Sequence, residues 1–241
     1  LAQELDLPLS TLPWHGEQDR VAEIGTTLAL LTGTLGHFAR DLSLMMQTEV
    51  GEVAEPSGAG KGGSSTMPHK RNPVGCATVL AVATRMPGLA STLLAALPQE
   101  HERALGGWQA QWATLREMVI LTAGALDRMR EIIEGLHVDA ARMCANLDLT
   151  HGLILGEAVM LALGADLGRL QAHHVVEAAS RKAVQDGKTL RDVLAEDADV
   201  LRIWGSATPQ RLDALLDPTH YLGDAGPAVD RVLAEHARRH P

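Results

Sequence analysis

The stretch GAGKGGSSTMPHKRNP, residues 58–73, separates two long helical patterns and therefore organises the whole chain. Its four glycines and two prolines disfavour a helix or strand across it. Backbone N–H groups of successive glycines can converge on an anion, and Lys61, Lys70 and Arg71 add positive charge to the same segment. The residues by themselves leave two interpretations open. One is a loop that cradles a carboxylate or phosphate and carries a serine base or nucleophile; the other is a solvated linker between helices.

Composition favours close-packed helices. Of the 241 residues, 46% are hydrophobic but only 2% are aromatic, and alanine and leucine dominate. The net charge of -9 argues against a nucleic-acid partner. Cys76 and Cys144 are isolated, which predicts buried thiols in a reducing compartment and no disulfide framework.

Targeting signals are not evident in the sequence. The sequence pattern predicts no apolar run long enough to span a membrane, and no signal peptide is visible, so we expect a cytoplasmic protein without a membrane partner. The chain begins at Leu1 and not at Met, and we expect it to be part of a longer polypeptide.

Two rows of apolar residues recur at alternating intervals of three and four, which predicts long helices over about 17–53 and 108–134. Between them, residues 74–97 form a third helical pattern, which Pro87-Gly88 is expected to kink or break. The rows consist of Val21, Ile24, Leu28, Leu31, Leu35, Phe38, Leu42 and Met45, and of Trp112, Leu115, Val119, Thr122, Leu126, Met129 and Ile133.

The predicted fold is all-α, without strands. A central long-helix bundle, residues 1–139, carries the loop 54–73, and a small all-helical C-terminal domain follows over residues 140–241. Turn signals multiply in that second part, and its helices are shorter. The helices predicted there span residues 153–164, 168–186, 189–196, 208–215 and 226–238.

The stretch GSSTMPHKRNP, residues 63–73, resembles the Gly-Ser-Ser-x-Met-Pro-x-Lys-x-Asn-Pro signature of the fumarase/aspartase superfamily. The resemblance covers essentially the whole chain and agrees with a long-helix bundle. It implies that the chain corresponds to the second and third domains of a longer subunit whose N-terminal domain is absent here. It also implies a homotetramer with active sites shared between subunits.

Within that superfamily, His69-Lys70-Arg71 narrows the resemblance to two families, and a second stretch decides between them. Adenylosuccinate lyases carry serines and a second arginine in the connector that holds the nucleotide phosphate. Here the connector is ERALGGWQAQW, residues 102–112, in which Gly106 and Trp108 replace the serines and Trp112 replaces the arginine. Losing these donors removes a phosphate site. The pattern resembles the 3-carboxy-cis,cis-muconate cycloisomerases, and adenylosuccinate lyase stays as the alternative.

The cycloisomerase resemblance implies a reaction in protocatechuate catabolism. A substrate carboxylate oxygen adds across a conjugated double bond through an aci-carboxylate intermediate, giving a carboxymuconolactone. Position by position, Ser64 matches the catalytic acid/base, and Lys70 and Asn72 match the carboxylate-binding residues. Met67 is expected to contribute through its backbone. The remaining candidates for substrate binding are Ser65, Thr66 and, more weakly, Arg103.

Neither a metal nor an organic cofactor is expected, because no His, Cys and Asp cluster has ligand spacing. The expected partner is a small tricarboxylate, which needs a cationic site within an acidic protein. One interpretation from another class stays open: a non-catalytic helical scaffold, since two of the superfamily's three active-site segments would lie outside this chain.

Overall fold

The structure is a computed structural model that describes residues 2–9, 11, 15–56, 71–101 and 104–240. The fold is all-α, as predicted, except for one short pairing of strands. The helices are α1 Asp19–Met45, α2 Val74–Ala95, α3 Gly107–Glu134, α4 Ala140–Leu147, α5 Gly156–Leu167, α6 Arg169–Asp186, α7 Leu190–Ala195, α8 Ala198–Trp204, α9 Thr208–Leu215 and α10 Ala225–Arg239.

The prediction of no strands is wrong. β1, Val53–Ala54, pairs antiparallel with β2, His137–Val138, so that Val53 lies opposite Val138. Two residues per strand give no periodicity that a sequence pattern can reveal. This pairing joins the segment after α1 to the segment after α3.

The chain divides into two compact units, residues 1–142 and 143–241. In the first unit α1, α2 and α3 pack against one another pairwise. In the second unit α5 packs on α6, and α7, α8 and α9 add to a separate apolar core that includes Leu163, Leu190 and Leu212.

The predicted helix over 17–53 is too long, because α1 ends at Met45. The backbone then turns: Gly51 N–H donates to Gln47 O at 2.7 Å, and Glu52 N–H donates to Met45 O at 3.0 Å. Gly51 has a φ of +65°, a conformation that favours glycine. The turn redirects the chain into β1.

Small residues form the buried stripe of α1. Gly25, Thr32, Gly36 and Ala39 are buried, and a Cβ added to Gly36 would lie 2.7 Å from Ala83 Cβ. The helices therefore approach closely through glycine and alanine. The row of large apolar residues lies beside this stripe and is only partly covered.

The large apolar rows of α1 and α3 each divide into an inner and an outer half. Alternate members are partly or fully buried. The other members are exposed in this chain: Ile24, Leu31 and Phe38 on α1, and Trp112, Val119, Leu126 and Ile133 on α3. Trp112, the first member of the α3 row, is 58% exposed.

Of the kink or break predicted at Pro87-Gly88, the break is wrong, because α2 continues through both residues. Pro87 is exposed, so its ring points away from the packed face. The expectation about membrane-spanning length is also wrong. By length and hydropathy alone, α2 is apolar enough to cross a membrane, but its Cys76, Val79, Met86 and Leu93 are fully buried in the bundle.

The second unit contains one helix more than predicted in its core, α8. Its N-cap Asp197 accepts hydrogen bonds from Asp199 N–H and Val200 N–H. Thr208 is the first residue of α9, and its hydroxyl donates to Gly205 O at 2.7 Å.

We predict opposite effects of alanine at two glycines of α1. Gly36→Ala forces a methyl group against Ala83 and is expected to destabilise the protein by about 1–3 kcal/mol. Gly33→Ala is the matched control: nothing lies within 4 Å of its Cβ position, so alanine is expected to stabilise the helix by up to about 1 kcal/mol. Urea unfolding followed by circular dichroism measures both. A Gly36→Ala protein as stable as Gly33→Ala contradicts the packing described.

Candidate functional site

The candidate site lies at the end of the bundle where α1 and α3 finish and α2 begins. β1 leads into Glu55 and Pro56, and Arg71, Asn72 and Pro73 lead into α2. The residues between these two stems, 57–70, lie outside the described part of the chain. The described residues therefore define the base of the signature segment.

Glu55 joins the two stems. Its Oε2 accepts from Gly75 N–H at 2.9 Å, and its Oε1 accepts from Cys76 N–H at 2.7 Å. The N-cap of α2 is Pro73, which has no side chain able to accept these bonds. A helix N-terminus leaves such N–H groups without intrahelical partners, and a carboxylate also complements the helix dipole. Glu55 thus caps α2 from twenty residues away.

Two glycines leave room for this arrangement. A Cβ on Gly75 would lie 2.9 Å from Ile132 Cδ1 and 3.0 Å from Glu55 Oε2. A Cβ on Gly135 would lie 2.6 Å from Pro56 Cβ. The first stem is therefore pressed against both the start of α2 and the end of α3.

Two cavities flank the stems, and both are lined by Arg71 and His137. The first, of about 240 Å³, also contacts Glu55, Pro56 and Gly135. The second, of about 290 Å³, is completed by Met46, Gly51, Val53, Ala54 and Asp139. Charged groups of both signs therefore border the base of the segment.

Of the predicted site residues, the structure describes Asn72 alone. It is partly buried, and its backbone carbonyl accepts from Val74 N–H at 2.9 Å, immediately before α2. Ser64, Ser65, Thr66, Met67, Lys70 and Arg103 lie outside the described residues. Their assigned roles stay predictions.

The described residues on either side of Arg103, His101 and Ala104, lie at the other end of the bundle, where they follow α2 and precede α3. α2 spans 22 residues, so the two ends are about 33 Å apart at ~1.5 Å per residue. The signature stems and the residues that flank Arg103 are not brought together within one chain.

Aromatic side chains mark that far end. The His15 and Trp108 rings are edge-on with centroids 6.3 Å apart, and Trp108 packs edge-on against Trp112 at 5.2 Å. His15 and residues 108–112, which are distant in sequence, therefore meet at the start of α3. Indole rings lie where adenylosuccinate lyases are expected to have serine and arginine.

The two thiols differ in environment. Burial, and then the hydrogen bond and negative charge of Glu55, raise the pKa of Cys76 from 9.0 to about 12. Cys144 is exposed, so the prediction of two buried thiols is wrong for this residue. Among the described residues, no group of three or more His, Cys, Asp and Glu side chains could hold a metal ion.

Sequence reasoning missed Glu55. The available signal is a glutamate ahead of a proline, followed by a helix whose N-cap is itself a proline. That pattern does not reveal the pairing, because capping residues normally lie within a few positions of the helix start.

Two family models match the chain. One, described as Lyase, matches residues 1–88, and the other, Adenylosuccinate lyase C-terminus, matches residues 152–232. A curated protein from Pseudomonas aeruginosa, named 3-carboxy-cis,cis-muconate cycloisomerase, is 57% identical over 236 residues, covering 98% of this chain and 51% of that protein. A protein of the same name from Bradyrhizobium diazoefficiens is 52% identical and is likewise covered over 51% of its length.

A solved structure agrees with these matches. The 3-carboxy-cis,cis-muconate lactonizing enzyme from Pseudomonas putida superposes with a TM-score of 0.89 and 51% identity, over 98% of this chain and 51% of that one. These matches, together with the long-helix bundle, show that the chain belongs to the fumarase/aspartase superfamily of lyases. Within that superfamily it is similar to the 3-carboxy-cis,cis-muconate cycloisomerases, and it spans about half the length of those relatives.

We predict that the two cysteines react at very different rates with a thiol-specific disulfide reagent. At pH 8 the exposed Cys144 is expected to react as a free thiol, and Cys76 at least about 100-fold more slowly, since the thiolate is the reactive form. Because the folded-state pKa of Cys76 is raised, its neutral form stabilises the fold below about pH 9, and this contribution is lost as the pH rises towards 12.

Cys144→Ser provides the control for the reaction with the disulfide reagent, because this variant should show only the slow phase. A fast phase that persists in Cys144→Ser at pH 8 contradicts the burial of Cys76.

Proposed function

We propose that this chain is the C-terminal half of a cycloisomerase that converts 3-carboxy-cis,cis-muconate to a carboxymuconolactone. The observation that carries the proposal is its similarity, over nearly its whole length, to proteins of that name. The far end of the bundle supports the same choice, because Trp108 and Trp112 form an aromatic pair where a nucleotide phosphate would need hydroxyl and guanidinium donors.

The proposed chemistry is an intramolecular addition. A carboxylate oxygen of the substrate forms a bond to one carbon of a conjugated double bond, and a proton is delivered to the neighbouring carbon. Negative charge accumulates on the adjacent carboxylate as an aci-carboxylate. Positive groups and N–H donors around that carboxylate stabilise the charge, a role assigned by resemblance to Lys70, Asn72 and the loop backbone.

Ser64 is the proposed proton donor and acceptor. A serine hydroxyl is a weak acid, so this role requires a lowered pKa, for which convergent N–H groups and a nearby ammonium are suited. The described part of the site supplies the base for this arrangement, because Glu55 and α2 fix the backbone on either side of residues 57–70.

We also propose that the active protein is a cytoplasmic homotetramer whose sites are shared between subunits. The signature stems and the described residues that flank Arg103 lie at opposite ends of one bundle. A site that uses both segments therefore needs a second copy of the chain. The exposed rows on α1 and α3 support such an assembly. Large side chains such as Phe38, 55% exposed, recur along entire helix faces, as in an interface that packs like a core.

We predict that Ser64→Ala abolishes turnover while substrate binding is largely retained. The test uses the chain preceded by the upstream half found in its relatives, with 3-carboxymuconate and adenylosuccinate assayed in parallel by absorbance. The loss in kcat is expected to be at least about 100-fold, in the range that a positioned acid/base contributes. Near-normal kcat removes Ser64 from the mechanism.

The same assays separate the alternatives. Clear turnover of adenylosuccinate by the unmodified protein assigns it to the lyases of that name. If neither substrate is consumed although the protein is folded and assembled, the non-catalytic scaffold is the correct interpretation.

We predict that the double substitution Leu31→Glu with Phe38→Glu reduces the assembly to smaller species, because it places charges in the outer row of α1. Size-exclusion chromatography with light scattering measures the mass. Leu170→Glu, on an exposed face of the second unit, is the control and should leave the mass unchanged. An unchanged mass in the double variant excludes this row from the interface.

A further inference from the structure

We propose that Glu55 is a positioning residue: its carboxylate holds the start of α2 against the first stem and thereby sets the position of Asn72. The inference rests on the proposed function for its catalytic consequence. The clamp itself is a property of this chain's described residues.

The first step of the argument is the hydrogen bonding. Each oxygen of Glu55 accepts one backbone N–H of α2, at 2.9 and 2.7 Å. Two donors from consecutive residues converge on one side chain. Hydrogen bonds to a carboxylate are roughly twice as strong as those between neutral groups.

The second step is that Glu55 has little freedom to move. Its backbone directly follows β1, which pairs with β2, and its neighbour Pro56 is in contact with Gly135 at the end of α3. The side chain of Glu55 also lies close to Gly75, since a Cβ on that glycine would be 3.0 Å from Glu55 Oε2. The first stem therefore has a fixed position relative to both α2 and α3.

The third step connects the clamp to the proposed site. Asn72 lies three residues before Gly75, and its carbonyl accepts from Val74 N–H. A shift of the start of α2 relative to Glu55 therefore moves Asn72 and changes the separation of the two ends of residues 57–70. Misplacement of a catalytic group by about 1 Å can cost on the order of 10²-fold in rate.

The experiment compares Glu55→Gln with Glu49→Gln in the chain preceded by the upstream half of its relatives. The amide of Glu55→Gln replaces one acceptor oxygen by a donor that faces a backbone N–H. Glu49→Gln removes the same charge as Glu55→Gln. The bond that Glu49 accepts from Arg142 at 2.8 Å is to its backbone carbonyl, so this substitution leaves that bond in place. Glu55→Asp tests whether a shorter carboxylate partly restores the function.

We expect kcat of Glu55→Gln to fall about 30-fold or more while KM changes less than about threefold, with the thermal unfolding midpoint recorded alongside. Glu55→Asp should give an intermediate kcat, and Glu49→Gln should match the unmodified protein. A kcat of Glu55→Gln within twofold of the unmodified protein, or a loss equal to that of Glu49→Gln, overturns the proposal.

Hydrogen exchange gives a second measurement that does not depend on turnover. The amides of Gly75 and Cys76 and of the peptide covering residues 57–72 should exchange faster in Glu55→Gln than in Glu49→Gln. If the unmodified protein converts neither substrate, the proposed function has failed, and exchange alone decides the clamp. Faster exchange then supports it, and unchanged exchange overturns it.

Discussion

Close approach of three long helices through their small residues is the constraint on which the first unit depends. Gly25, Thr32, Gly36 and Ala39 form the buried stripe of α1, and the contact of Gly36 with Ala83 leaves no space for a methyl group. Because glycine and alanine fill the inner stripe, the large apolar side chains lie beside it or outside it. Their alternate members therefore form continuous apolar rows on the surface of the single chain.

The same packing separates the two segments that carry the proposed site residues. α1 and α3 end where α2 begins, so the signature stems lie at one end of the unit and the Trp-containing connector at the other. A bundle of three rigid helices cannot bring these ends together. Apolar outer rows and motifs at opposite ends are thus two consequences of one architecture, and both fit a protein that completes its sites by association.

At the end of the bundle where α2 begins, the N-cap is a proline, whose side chain cannot accept hydrogen bonds from the first N–H groups of the helix. Pro73 sets the start of α2 but contributes no cap, and Glu55 supplies the missing acceptors from the preceding stem. Burial of Cys76, and then the neighbouring Glu55 carboxylate, keep the thiol protonated, with a pKa of about 12. One side chain therefore connects helix capping, an inert cysteine and the base of the segment that carries the proposed catalytic serine.

The sequence by itself determined the all-α class, the start of α2 after Pro73 and the superfamily, because heptad spacing and a long contiguous signature are local patterns. It also identified Asn72 and its neighbours as candidate site residues. Only the tertiary structure decided which half of each apolar row is buried, since spacing gives a row but not the face that a neighbouring helix covers. The β1–β2 pairing joins residues that are 83 and 85 positions apart, and the hydrogen bonds of Glu55 join residues that are 20 and 21 positions apart. Such contacts depend on how the helices return to the same end of the bundle.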